Sequence, residues 1–250
     1  ANPKMPFWDA IHTTIIRNNR FRCDHGWDID LDDGSSNYLI YNNVCLNGGI
    51  KLREGFYRTV ENNIMVNNSF HPHVWFKNSG DIFRRNIVLT DYKDIWLKGW
   101  GKEMDYNLFP NKAALQKAQK NKTDKHSVFG NPYFIAPNEG NYTVSENSPA
   151  LKLGFKNIPM DSFGVQKESL KAIAKKTKIP YLWSVPMTKG KEAATFDWLG
   201  VEMKNITTLE ERSASGLNKI AGVIVMKIDD KSVVKKSKLL KGDGIIEGEG

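Results

Sequence analysis

Apolar and polar residues trade places at every second position in four short runs of the first hundred residues. They are Ile29-Asp-Leu-Asp-Asp33, Ile50-Lys-Leu-Arg-Glu54, Val74-Trp-Phe-Lys-Asn78 and Ile95-Trp-Leu-Lys-Gly99. A period of two marks a strand with one buried face. The inward column reads Ile29/Leu31, Ile50/Leu52, Val74/Phe76 and Ile95/Leu97; the outward column reads Asp30/Asp32, Lys51/Arg53, Trp75/Lys77 and Trp96/Lys98. A second pattern falls between the runs: Ile16-Arg-Asn-Asn19, Ile40-Tyr-Asn-Asn43, Val60-Glu-Asn-Asn63, Phe83-Arg-Arg-Asn86 and, more weakly, Met104-Asp-Tyr-Asn107. Its last asparagine steps by 24, 20, 23 and 21 residues, with apolar residues close behind at Val44-Cys45, Ile64-Met65 and Ile87-Val88.

Short strands on such a period, with Asn at one turn of every rung, predict an all-β chain built on a right-handed parallel β-helix. Stacked Asn side chains can bond to one another and to the turn backbone, and Asn tolerates a left-handed conformation. A leucine-rich solenoid shares the period but needs Leu at fixed offsets that are absent here. The Lys/Ala-rich piece 110–122 predicts an inserted surface helix, and 127–165 reads as the last coil and its exit. The expected division is a β-helix over 1–165, a Lys- and Pro-containing linker over 166–194, and a small β-rich domain over 195–250.

Composition sharpens this picture. Twenty of 23 asparagines lie in the first 150 residues, where the rungs are, while the net charge of +8 sits mostly behind them. Residues 1–150 hold 18 basic and 16 acidic side chains and residues 151–250 hold 18 and 12. The basic excess is therefore linker and tail, without a nucleic-acid motif. No run of 18 apolar residues exists, so no membrane span is expected. Cys23 and Cys45 make neither a disulfide framework nor a metal site and read as buried apolar residues. The chain opens ANPKMPFW and stops at GDGIIEGEG, which reads as a piece of a longer protein.

The densest candidate chemistry is Asp28-Ile-Asp-Leu-Asp-Asp33. An EF-hand calcium loop would need Gly where Asp33 stands and Glu where Leu39 stands. A column of like charges on a strand needs partners, and the next rung supplies Lys51 and Arg53. Aligning the rungs sets Asp33 over Glu54 and Asp32 over Arg53. Adjacent strands lie about 4.8 Å apart, and retaining glycosidases hold their two carboxyl groups roughly 5–5.5 Å apart. An Asp and a Glu one rung apart suit that geometry. Trp27, Phe56, Tyr57, Trp75 and Trp96, with His71, His73, Lys77 and Asn78, would frame a sugar ring. His71-Pro-His73 lacks a third ligand at useful spacing, so neither a metal nor a cofactor is expected.

The block GWDIDLDDGSSNYLIYNN…GGIKLREGFYRTVENN resembles glycoside hydrolase family 120, β-xylosidases on a right-handed parallel β-helix, over about residues 10–165. The run NPYF…NYTV…SPALKLGF…FGV resembles the segment that follows the last rungs of carbohydrate-active β-helix enzymes. The family resemblance implies a retaining mechanism, with Glu54 as acid/base and a nucleophile at Asp32 or Asp33, Asp30 being the outside candidate. Asp30, Lys51, Arg53, Trp27, His73, Trp75, Lys77 and Trp96 would bind substrate. Residues 195–250 resemble a truncated bacterial PDZ domain in Trp198-Leu-Gly-Val201, Ala221-Gly-Val-Ile-Val-Met-Lys-Ile228 and Lys238-Leu-Leu-Lys-Gly-Asp-Gly-Ile-Ile246. That resemblance implies that Leu199, Gly200 and Val201 offer backbone N–H groups to a peptide's C-terminal carboxylate.

The expectation is a secreted or periplasmic exo-glycosidase acting on an oligosaccharide or polysaccharide. A polysaccharide lyase using Lys51, Arg53 or Lys77, or a carbohydrate-binding scaffold without catalysis, are its rivals.

Overall fold

The computed structural model describes residues 2, 4–174, 176–180, 194–217, 220–237 and 239–246. The chain divides into two units, Ala1–Ser184 and Val185–Gly250. It is mostly β, with few helices and a parallel β-solenoid of about six turns.

After a short helix α1 (Pro6–Asp9), the first coil carries β1 (Thr14–Arg17), β2 (Arg20–Phe21) and β3 (Ile29–Leu31). The second carries β4 (Tyr38–Tyr41), β5 (Val44–Cys45) and β6 (Ile50–Leu52), and the third β7 (Arg58–Glu61), β8 (Ile64–Met65) and β9 (Phe70–Pro72). The next two coils contribute β10 (Ile82–Arg84), β11 (Ile87–Val88), β12 (Glu103–Asp105) and β13 (Leu108–Phe109). Helix α2 (Lys112–Gln119) then leads to β14 (Val128–Phe129). Three parallel sheets result: β1-β4-β7-β10-β12, β2-β5-β8-β11-β13-β14 and β3-β6-β9.

The asparagines form the expected ladder. Asn43 Oδ1 accepts from Asn19, Asn63 Oδ1 from Asn43, Asn86 Oδ1 from Asn63 and Asn107 Oδ1 from Asn86, each from both backbone and side-chain N–H. The ladder ends on Ser127 and Asp124, to which Asn107 donates. The left-handed residue stands one place before the ladder position, at Asn18, Asn42, Asn62, Arg85 and Tyr106.

The interior is filled by Ile29, Leu31, Ile50, Leu52, Phe70, Trp75 and Phe83, with Phe70 stacked on Phe83 at 4.0 Å. Helix α2 is more than a surface insertion. Asn111 caps it, and Ala114, Leu115 and Ala118 enter this core. Residues 134–163 pack over the outer face of the β2–β14 sheet, burying Tyr142, Val144, Phe155 and Ile158 against Val44, Ile64 and Leu108. That segment includes the hairpin β15 (Phe134–Ala136) and β16 (Asn141–Val144) and the short helix α3 (Pro149–Lys152).

Two of the four alternating runs are not strands. The third rung of the acidic sheet is Phe70–Pro72, in register with Ile50–Leu52, not Val74–Asn78. Asn43 to Ile50 and Asn63 to Phe70 both span seven residues, so equal turns repeat the register. Val74 and Trp96 adopt positive φ, and a single bridge, His73 to Ile95, represents the fourth rung there. Trp75 therefore points inward and is fully buried, against the outward position expected of it.

Part of the expected linker docks on the solenoid: after a turn of helix α4 (Glu168–Lys171), the Lys178 carbonyl accepts from Arg22 at 2.7 Å and Ile179 joins the apolar cluster of residues 134–163. Residues 175 and 181–193 of that linker lie outside the described residues. The second unit holds an antiparallel sheet of β17 (Thr195–Trp198), β18 (Val201–Asn205), β19 (Val223–Ile228) and β20 (Gly244–Ile245). Helix α5 (Leu209–Ser215) lies between β18 and β19 in sequence, closed by a Thr208/Glu211 capping box. No helix among the described residues is long and apolar enough to cross a membrane.

Candidate functional site

Strands β3, β6 and β9 turn alternate residues outward, so register places Asp30, Lys51 and His71 side by side. Two residues on, Arg53 N–H bonds the Leu31 carbonyl and His73 N–H bonds that of Leu52, setting Asp32, Arg53 and His73 in a second row. Lys51 Nζ lies 2.7 Å from Asp30 and 3.0 Å from Asp32. Arg53 Nε lies 2.7 Å from Glu54 and 3.2 Å from Asp33, and Nη1 lies 3.9 Å from Asp32.

The cations are recessed and the carboxylates face solvent. Side-chain exposure is 1% for Lys51 and 11% for Arg53, against 41%, 56%, 73% and 24% for Asp30, Asp32, Asp33 and Glu54. Burial pushes the Asp32 carboxyl up, but the Lys51 hydrogen bond and charge, with help from the Asp33 backbone and Arg53, outweigh it. The carboxyl is held below the usual range.

Trp27 closes the rows from outside. Its ring lies 4.3 Å from Lys51 Nζ and meets His71 and His73 edge-on at 5.8 and 5.9 Å. Both histidines are fully buried. His71 bonds Asn68 Oδ1 at 2.8 Å through one ring nitrogen. Its other nitrogen and both of His73 make no well-formed hydrogen bond. Burial drives His71 well below the usual imidazole value, aided by His73, Lys93 and Lys51. Burial, then Lys51 and Arg53, drive His73 down to about 3, against a weaker opposing pull from the Lys93 backbone and Asp32. Both rings are neutral wall rather than acid or base.

Asp28 fixes the turn that carries Trp27. Its carboxylate accepts backbone N–H bonds from Cys23, Asn47, Gly48 and Gly49 at 2.6 to 3.1 Å. Burial pushes it up to about 6 against those four donors. The cradle depends on Gly48, where a Cβ would fall 2.2 Å from the Asp28 nitrogen.

The structure thus gathers Asp30, Asp32, Asp33, Lys51, Arg53, Glu54, Trp27 and His73. Lys51 and His73 are buried, and Lys51 holds Asp30 and Asp32 in place. Trp75 belongs to the core; its Nε1 bonds the Leu52 carbonyl at 2.8 Å. Lys77 and Trp96 make no hydrogen bond, ion pair or ring contact with the cluster among the described residues. Phe56 stacks on Phe76 at 5.1 Å, and Phe7, which sequence reasoning passed over, covers Tyr57 at 5.2 Å. Among the described residues no three His, Cys, Asp or Glu side chains converge to hold a metal ion. Cys23 and Cys45 are unbonded thiols.

In the second unit, Leu199 and Gly200 are the two positive-φ residues of a tight hairpin between β17 and β18. Gly200 N–H donates to Asp197 at 3.1 Å, and Val201 is paired with Trp198. Of the three N–H groups expected to meet a peptide carboxylate, that of Gly200 is thus bonded within the turn. No family model matches the chain, and no curated protein and no solved structure matches it.

Proposed function

We propose that the first unit is a retaining glycoside hydrolase acting on neutral β-linked sugars of the xyloside kind, with Glu54 as acid/base and Asp32 as nucleophile. One observation carries this reading: two carboxylates end adjacent rungs, with the Arg53 guanidinium between them. Neighbouring rungs lie about 4.8 Å apart, close to the roughly 5–5.5 Å of a retaining pair, and Asp32 stands one residue before Asp33, the position level with Glu54. Glu54 donates its proton to the glycosidic oxygen as Asp32 attacks the anomeric carbon, giving a covalent glycosyl–enzyme. The Glu54 carboxylate then takes a proton from water, which displaces Asp32. While Glu54 carries its proton, Arg53 keeps Asp33 as an anionic partner at 3.2 Å. Lys51 keeps Asp32 ionised for attack.

The same electrostatics argue against a lyase. A uronate needs an exposed cation and an accessible base beside the acids, whereas Lys51 and Arg53 are recessed beneath them and the exposed Lys77 makes no hydrogen bond or ion pair with the cluster among the described residues. Activity on extracellular glycans would put the protein in a secreted or periplasmic setting.

The test is hydrolysis of 4-nitrophenyl β-xyloside followed by NMR of the first product. A β-anomer is expected, and Glu54→Gln should lower kcat by about 10²–10⁴-fold on a substrate with a poor leaving group. An α-anomer as first product, or unchanged turnover in Glu54→Gln, defeats the reading.

For the second unit we propose a PDZ-like order of elements that captures a peptide as an added strand. The strand would add at β17, which is the edge of its sheet and whose four residues are all exposed. Loss of binding on Asp197→Pro, which breaks that edge, tests it against a titrated C-terminal peptide.

A further inference from the structure

We propose that Arg58, gripped by Asp81, is a positioning residue that locks the Glu54 turn against the Asp32–Asp33 turn; this rests on the glycosidase reading above. Both side chains are fully buried. Arg58 Nε and its backbone N–H each donate to Asp81 Oδ1 at 2.9 Å, and Nη2 donates to Oδ2 at 2.6 Å. The guanidinium carbon lies 5.6 Å from the ring centroid of the buried Trp75. That leaves Nη1, which donates to the carbonyl of Arg53 and, at 3.4 Å, to that of Ser35. Arg53 immediately precedes Glu54, and Ser35 lies two residues beyond Asp33. One nitrogen therefore ties together the turns that end the two carboxylate-bearing rungs.

The same turns are stitched by three further bonds. Gly34 N–H donates to the Glu54 carbonyl at 2.8 Å, Phe56 N–H to Ser36 Oγ at 2.9 Å and Asn37 N–H to the Phe56 carbonyl at 2.9 Å. Gly55 is what lets them close, because a Cβ there would meet the Ser35 oxygen at 2.4 Å and Arg58 Nη1 at 2.7 Å. A buried ion pair is a poor way to stabilise a core, since apolar side chains of the same volume do as well or better. The guanidinium supplies a planar fork that saturates one carboxylate and still aims a donor at two carbonyls. Catalysis is sensitive to that aim, because a displacement of about 1 Å can cost about 10²-fold in rate.

The experiment uses Arg58→Lys in the full chain. Lysine keeps the charge beside Asp81 but cannot reach both carbonyls. Aryl β-xylosides with leaving groups of increasing pKa separate positioning from general damage. KM should stay within about threefold, while kcat falls about 10–100-fold for the poorest leaving group and little for a dinitrophenyl one, which needs no acid. An equal loss across the series overturns the proposal. Amide hydrogen exchange supplies a readout independent of activity. Gly34 and Phe56 should exchange faster than in the parent, with Asn63 and Asn86 unchanged; unchanged exchange at Gly34 overturns the proposal. If the parent turns over no glycoside, the functional reading falls while exchange still decides on the clamp. If Arg58→Lys does not fold, Gly55→Ala keeps the ion pair and forces the turns apart. It should give the same leaving-group and exchange pattern, and parent-like behaviour overturns the proposal.

Discussion

The Lys51 ammonium lies 4.3 Å from the ring centroid of Trp27, which covers it almost completely. A lysine this deep needs its charge met, and Asp30 and Asp32 meet it while staying half in water. Lys51→Met keeps the packing under Trp27 and removes the charge. Because both acids remain partly solvated, the expected cost is only about 1–2 kcal/mol. The larger effect is on Asp32, whose carboxyl should titrate higher once Lys51 is gone. Carboxyl NMR of parent and variant checks this, and an unmoved Asp32 would show that Lys51 does not tune it.

The buried histidines predict a pH dependence with a definite sign. His73 falls from 6.5 to about 3 on folding, and His71 shifts the same way. Their contribution is fully present above pH 6.5 and drains away as pH falls toward 3. For His73 alone it amounts to about 5 kcal/mol over the whole span. Asp28 works in reverse: raised from 3.8 to about 6, it favours the fold most below pH 4 and loses about 3 kcal/mol as pH rises through 6. On acidification to pH 4, Asp28 offsets roughly one histidine and the other leaves a net loss; below pH 4 the offset ends and the loss steepens. Urea midpoints from pH 7.5 to 4 should fall, and His73→Phe should flatten the fall while changing stability at pH 7.5 by about 1 kcal/mol or less. A profile as steep in His73→Phe as in the parent contradicts this.

Much of the solenoid was legible because it repeats locally. Asn19, Asn43, Asn63, Asn86 and Asn107 each follow a strand, the last four precede a two-residue apolar pair, and the ladder in the structure uses all five. The third rung was misread because Val74-Trp-Phe alternates like a strand while Phe70-His-Pro does not. Pairing with Ile50–Leu52 is set by turn length, which outranks alternation over three residues. The acids and their cations were visible as neighbouring columns, but the depth of Lys51 was not, since it depends on Trp27 folding back over the next rung. Arg58 and Asp81 were invisible for a different reason. They stand one rung apart in the column Tyr38, Arg58, Asp81 of the β1–β12 sheet, but no residue type repeats along that column to mark the pair.

The ladder makes its own prediction. Asn63 accepts two bonds from Asn43, gives two to Asn86 and donates to the carbonyls of Ile40 and Glu61, all but the last of them buried. Asn63→Ala leaves several of these groups unpaired inside the solenoid and should cost about 2–4 kcal/mol. Asn19 sits at the first rung, half-exposed, with solvent to replace its partners. Asn19→Ala should cost about 1 kcal/mol or less. Denaturant melts of the two variants check the contrast, and equal losses would mean that the ladder gains nothing from burial.

The nucleophile can be separated from its neighbours by the same contacts. Among the described pairs Asp32 lies near both cations, Lys51 at 3.0 Å and Arg53 at 3.9 Å. Asp30 meets only Lys51 among the described pairs, and Asp33, the most exposed, meets only Arg53. In the proposed mechanism the nucleophile must be ionised and held in place, and Asp32 is preferred because Lys51 holds its carboxyl below the usual range. Asp32→Gly should lose at least about a thousandfold in kcat. Azide should restore part of it by attacking the anomeric carbon from the vacated face, releasing the α-glycosyl azide. Asp33→Asn should lose less than about tenfold, because it removes one anion from Arg53 and no bond-forming atom. The reverse ranking, with azide rescue confined to Asp33→Gly, would transfer the role to Asp33 and leave Asp32 as the group that keeps Lys51 and Arg53 in place.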